Sequence, residues 1–325
     1  MKSFNELCPP ETMNKRFASW SLFILLCLIW GSSFILMKWG LYDAHQQPVL
    51  SPFHVAALRM LSSGLVMLPF LRSALKQIPK KTVRYVLLSG WLGSFFPAFL
   101  FCIAETKIDG ALTGSLNSLT PLFVILTGAL FFGLRTSTAK ITGVIIGLCG
   151  SALLVYKNAS LPASYGYYVG FVILATVLYG INVNMVHSKL AGVPSVTIGA
   201  VSFTGLIIPA LIVLLTTGYF QQPLAQHSYA ISTLASCILG ILGTAVASIL
   251  FYVLVKKAGG LFASLVTYGI PFVAIGWGIY YGEKVTWLNL LALCIILLGV
   301  YLANRPGKKE SETIVSPPAI SGSDE

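Results

Sequence analysis

The stretch GALTGSLNSLTPLFVILTGALFF, residues 110–132, decides how this chain is built. It carries no charged side chain over 23 residues. At 1.5 Å per residue, a helix of that length crosses the ~30 Å hydrocarbon core of a bilayer. Residues 260–281, GLFASLVTYGIPFVAIGWGIYY, repeat its layout. Gly110, Pro121 and Gly128 return as Gly260, Pro271 and Gly278, all at an offset of 150. The chain therefore contains a membrane span and a diverged copy of it.

Outward from this pair, apolar segments of comparable length run over 17–37, 53–71, 84–104 and 139–156. A second set runs over 166–186, 195–216, 229–251 and 286–303. The 325 residues are 56% hydrophobic and 10% charged, with a mean hydropathy of +0.83. A water-facing domain carries about a quarter of its residues charged, so the composition excludes a soluble fold. The expectation is an all-α membrane protein of ten transmembrane helices. An offset of 149 pairs Trp30-Gly31 with Tyr179-Gly180, Ile24 with Ile173 and Leu25 with Leu174. The same offset pairs Ile146, Leu148, Gly150 and Leu153 with Ile295, Leu297, Gly299 and Leu302. A unit of five spans is odd, so its copy crosses the membrane in the opposite sense. Two inverted five-helix repeats, 17–157 and 166–304, are expected between a tail over 1–16 and a polar, Pro/Ser-rich tail over 305–325. That last segment lacks the apolar content to fold. Inverted repeats point to a transporter with its site near the midplane, between the halves.

Basic residues orient the spans. Lys38, Lys107, Lys157 and Lys284 fall on one side, Arg59 lies inside a span, and the other sixteen of the 21 fall on the opposite side. Lys and Arg accumulate on the cytoplasmic face. Both termini are therefore expected in the cytoplasm, in a multi-pass protein of the cell inner membrane. The loop over 72–84 holds Arg72, Lys76, Lys80, Lys81 and Arg84, whereas its counterpart around 217–228 holds no basic residue, as inversion requires. The formal charge of +11 is thereby assigned to topology, and no nucleic-acid partner is expected. The apolar run from Phe17 is too long for a signal-peptide core and reads as an uncleaved anchor. Cys27, Cys102, Cys149, Cys237 and Cys294 lie in apolar runs, where a free thiol behaves as a small hydrophobe. No disulfide framework is expected.

Polar chemistry is sparse. All ten acidic residues fall in loops or tails, leaving no carboxylate at a span centre for proton coupling or for a cationic cargo. His45, His54, His187 and His227 pair with no Cys or carboxylate at ligand spacing. GxSxG, HExxH and P-loop signatures are absent. No enzyme, metal, cofactor or ATP-driven motor is expected. Arg59 reads either as a contact for a substrate anion or as a structural side chain that reaches the interface. Its depth, seven residues in from Pro52, favours the interface.

The other candidates for substrate binding are Trp30, Ser32 and Ser33 in the first span and Trp91 in the third. Asn117 and Thr120 precede Pro121 in the fourth, and Tyr179 and Asn182 lie in the sixth, near Asn184. Tyr252 and Tyr268 complete the set. Each has an ordinary alternative: hydroxyls and amides bond neighbouring helices, and aromatics fill or anchor spans. Pro121 and Pro271 remove backbone bonds, so kinked, cavity-lining helices are expected there. Gly110/Gly114 and Gly143/Gly147, at GxxxG spacing, read as close helix contacts.

WGSSF at 30–34, Arg59, the paired ALTGSLNSLTPLF (111–123) and LFASLVTYGIPFV (261–273), and YYGEKVT at 280–286 carry a resemblance. In their order and duplication the chain resembles the EamA group of the drug/metabolite transporter superfamily, from Trp20 to about Asn304. The resemblance implies ten helices in two inverted bundles and transport of amino acids or other small metabolites, often outward. One departure stands out. Where the family often places Gly-Glu after the fourth span, this chain has Gly133-Leu134-Arg135, while the second copy keeps Gly282-Glu283. The expected function is a secondary transporter working by alternating access, with a small-molecule substrate and the lipid bilayer as partners, as monomer or homodimer. A flippase or permease for a lipid-linked or sugar/nucleotide-type substrate is the alternative.

Overall fold

The computed structural model describes residues 10–133, 137–157, 164–251, 253–254, 266–283 and 285–303. Tyr252, Arg135 and the 305–325 tail lie outside them. Among the described residues the chain is helical, with one isolated bridge between Tyr42 and Pro48 and no strand. Among the described residues, seven helices are long and apolar enough to cross a membrane: α1 (Ala18–Leu41), α2 (Pro52–Lys76), α3 (Lys80–Ala104), α4 (Gly110–Phe132), α6 (Tyr165–Lys189), α7 (Ser195–Thr216) and α8 (His227–Phe251). Three more are apolar but shorter: α5 (Lys140–Leu153), α9 (Val266–Tyr280) and α10 (Trp287–Leu302).

These helices are apolar on nearly every side, as a backbone without water requires, since only intrahelical bonds satisfy it there. Leu130, Phe131, Ile208, Leu215 and Leu234 face outward and are exposed. In water such a surface aggregates; against acyl chains it is matched to its solvent. Tyr280 and Trp287, exposed at the ends of α9 and α10, sit where amphipathic rings favour a membrane interface.

Helix packing repeats under the exchange of each helix with the one five places on. α1 packs on α8 and α9, and its counterpart α6 packs on α3 and α4. α2 packs on α8, and α7 on α3, while α2·α7, α4·α9 and α5·α10 are pairs of counterparts. The α5·α10 contact is the closest kind. A β-carbon on Gly299 would fall onto the Gly147 nitrogen and 2.6 Å from the Gly143 carbonyl, so the GxxxG pair serves packing.

Several spans are interrupted near their middles. α1 breaks at Ser32, between helical segments Pro10–Gly31 and Ser33–Leu41. α4 breaks at Ser118 and Leu119, just before Pro121, whose missing N–H makes that turn a natural place to restart the helix. Pro271, by contrast, lies inside α9 with no break in the helix. The helices α4 and α9 end on left-handed glycines, Gly133 (φ 64°) and Gly282 (φ 77°), a conformation that a side chain would strain.

Candidate functional site

Two widened turns build the site. Trp91–Phe95 in α3 and Ile241–Val246 in α8 are single π turns, 150 residues apart. A π turn inserts one residue into a helix and misaligns the local backbone bonds, and such bulges gather at functional sites. Each turn carries a glycine facing a polar side chain of the opposite repeat. A β-carbon on Gly93 would collide with the Asn182 amide, and one on Gly243 would come within 2.9 Å of Ser33 Oγ. Trp30 donates its indole N–H to the Gly243 carbonyl at 3.1 Å.

Between these turns lies a cavity of about 250 Å³, walled by α1, α2, α3, α4, α6, α8 and α9. Its lining is duplicated. Trp30, Ser33 and Phe34 stand across from Tyr179, Asn182 and Val183 at the offset of 149. Gly93, Ser94, Phe101, Asn117 and Thr120 answer to Gly243, Thr244, Phe251, Thr267 and Ile270 at 150. Sixteen of the nineteen lining residues form these eight pairs, so the cavity is a product of the repeat. The ring contacts repeat as well: Trp30 meets Phe251 at 5.3 Å between centroids, and Tyr179 stacks on Phe101 at 6.1 Å.

Arg59 breaks the pattern, because the positions 149 and 150 residues further on are Ile208 and Pro209. Its Nε donates to Thr244 Oγ1 at 2.8 Å. Among the described residues it has no carboxylate within ion-pair distance. The side chain turns inward across the bundle to α8. Arg59 is also one of the residues that line the cavity.

The other candidates divide. Ser33, Trp30, Asn117, Thr120, Tyr179 and Asn182 line the cavity. Asn182 Oδ1 is buried without a hydrogen-bond partner among the described residues. Asn184 instead bonds the Val124 carbonyl at 2.8 Å and Thr127 Oγ1 at 3.0 Å, tying α6 to α4. Ser32, Trp91 and Tyr268 do not line it. Ser32 Oγ accepts from Trp277 Nε1 at 2.8 Å. Trp91 lies against Phe95 and Phe96, and Tyr268 packs on the apolar core. Residues unmarked in the sequence, among them Gly93, Phe101, Gly243, Thr244, Phe251 and Thr267, complete the wall. The signal that finds them is the pairing of SGWLGSFFPAFLF (89–101) with LGILGTAVASILF (239–251) at an offset of 150.

Two loop expectations also change. Lys38 belongs to α1, and its Nζ bonds Glu283 Oε1 at 3.1 Å. Glu283 and Glu105 do sit in connections, yet the side chain of each is buried.

The EamA-like transporter family profile matches residues 18–156 and again 166–305. Protein PagO of Salmonella typhimurium is 21% identical over 289 residues, covering 86% of this chain and 91% of that protein. An Escherichia coli protein named "Probable amino-acid metabolite efflux pump" is 25% identical over 281 residues, covering 86% of this chain and 83% of its own. A solved crystal structure shares the fold at a TM-score of 0.59 and 18% identity, over 88% of this chain and 96% of the other. Its two matched halves, meeting at a duplicated cavity, make this chain a member of the EamA-like transporter family, within the drug/metabolite transporter superfamily.

Proposed function

We propose that this transporter carries amino acids or closely related carboxylates out of the cell by alternating access, with Arg59 holding the carboxylate. The observation that carries this is an arginine at a central cavity, paired to a neutral threonine and to no acid among the described residues. An intramembrane cation without a counter-ion is costly, and a substrate carboxylate removes that cost through charge-assisted bonds. The rings of Trp30, Phe251, Tyr179 and Phe101 supply apolar walls for a side chain. Seven helices surround the cavity, which supports a water-soluble cargo over a lipid-linked one.

In this proposal the ten helices form two inverted five-helix repeats, 17–157 and 166–304, in the inner membrane, with both termini cytoplasmic. Inversion places a site at the repeat interface near the midplane, and a lining drawn in pairs from both halves supports that reading. Efflux is supported by the printed name of the E. coli relative. The test is counterflow in proteoliposomes: purified protein exchanges labelled amino acids against an internal pool. Absence of exchange for every amino acid tried, under any imposed gradient, rejects the cargo.

A further inference from the structure

Glu283 takes the donors at the start of α4. Besides Lys38, the Gly110 and Ala111 amides donate to its Oε1 and Oε2 at 3.3 and 3.2 Å. Free amides of a helix N-terminus and an ammonium are donors matched to carboxylate oxygens.

A second carboxyl occupies the same place. Glu105, in the connection between α3 and α4, is 7% exposed, and its Oε1 is buried with no hydrogen-bond partner among the described residues. A β-carbon drawn on Gly110 would stand 3.9 Å from Glu283 Oε1 and 4.0 Å from Glu105 Oε1. The two carboxyls thus converge on one glycine, and one of them holds the donors. A buried carboxyl with no donor at that oxygen, beside a carboxylate that has them, favours its neutral form on two counts: desolvation and like charge. Burial first, then Glu283, push the Glu105 carboxyl well above the usual carboxylate range; Lys38 and Arg59 pull the other way, and Asp109 adds to the rise. Tyr42, in the connection after α1, and Cys102, one turn back on α3, are the remaining titratable groups that feel its charge.

We propose that Glu105 is a proton-binding site whose proton keeps this end of the bundle shut. With the proton on, Lys38, Glu283 and the α4 N-terminus stay joined. With the proton off, the new anion competes for Lys38 and repels Glu283, and the connection between α3 and α4 loosens. Proton occupancy then gates access to the cavity from the end of the spans, although no span centre holds an acid. This inference does not depend on which cargo is carried.

The full-length protein in detergent is titrated by infrared spectroscopy from about pH 5 to about pH 9. A carboxylic-acid carbonyl band is expected to persist above the ordinary carboxylate range, to survive Asp109→Asn, and to vanish in Glu105→Gln. Alkylation of buried Cys102, resolved by peptide mass spectrometry, follows opening. Wild-type labelling is expected to match Glu105→Gln at low pH and to exceed it about tenfold at high pH. A wild type without such a band, or a labelling ratio flat with pH, overturns the proposal. The wild-type titration decides even if the variant fails to fold.

Discussion

The indole N–H of Trp30, on the first helix of one repeat, bonds the carbonyl of Gly243, in the widened turn of α8 of the other, at 3.1 Å. One bond thus ties the first helix of one repeat to the widened turn of the other. Tyr179, its counterpart, keeps the ring contact, with Phe101, and shows no such bond among the described residues.

Trp30→Phe retains the ring against Phe251 and removes the donor. The Gly243 carbonyl then loses a partner, at a cost of about 1 kcal/mol. A lower midpoint of thermal unfolding in detergent is expected. Tyr179→Phe, which deletes a hydroxyl with no hydrogen-bond partner among the described residues, serves as the control and is expected to unfold near the wild-type temperature.

Arg59→Gln is expected to weaken binding of amino acids about tenfold to hundredfold, the range for a hydrogen bond to a charged group. Arg59→Lys keeps the charge but loses the planar fork, so an intermediate affinity is expected. Ligand-induced thermal stabilisation measures both. Equal stabilisation of wild type and Arg59→Gln by an amino acid would remove Arg59 from the site.

Gly93→Ala forces the Asn182 amide out of its position, because the added methyl takes the same space. Overpacking of this kind costs about 1–3 kcal/mol. Transport is expected to fall sharply in Gly93→Ala and to recover in part when Asn182→Ala is added. A double variant no better than the single one would show that the amide matters for more than its volume.

Glu283→Gln keeps the size of the side chain and removes the charge that Lys38 and two amides share. A loss of about 1–3 kcal/mol is expected, since part-buried Lys38 is left without its partner. Lys38→Met is expected to cost a similar amount. The double variant should lose less than the two together, because both single changes break one interaction.

Glu105 sets the sign of one pH effect. Its carboxyl binds the proton more tightly in the folded state than in the unfolded one. The stability this contributes is complete below the unfolded value and is lost as pH rises through the folded value. The unfolding temperature of the wild type is therefore expected to fall relative to Glu105→Gln as pH rises past the ordinary carboxylate range. Parallel curves across the range would show that Glu105 titrates normally.

The helices and the duplication were legible because both leave periodic marks in one dimension: apolar length, basic asymmetry, and a constant offset through Gly110, Pro121 and Gly128. Trp30, Ser33, Asn117, Thr120, Tyr179 and Asn182 were legible as polar or aromatic exceptions in apolar runs. The π turns were not, since a misplaced backbone bond has no residue type of its own. Direction was also hidden. Arg59 was placed by distance along its helix, whereas its setting is decided by rotation toward Thr244. Burial of Glu105 and Glu283 escaped for a related reason: a connection between helices is short enough here to be folded inward.

The paired lining of the cavity has a consequence for how this protein can change. A substitution at most wall positions leaves an equivalent residue in the other half, so the chemistry of the chamber is diluted but not abolished. Arg59 has no understudy. Mutational drift can therefore adjust the size and texture of the chamber in small steps, while the distinction between one end of a bound molecule and the other hangs on a single codon.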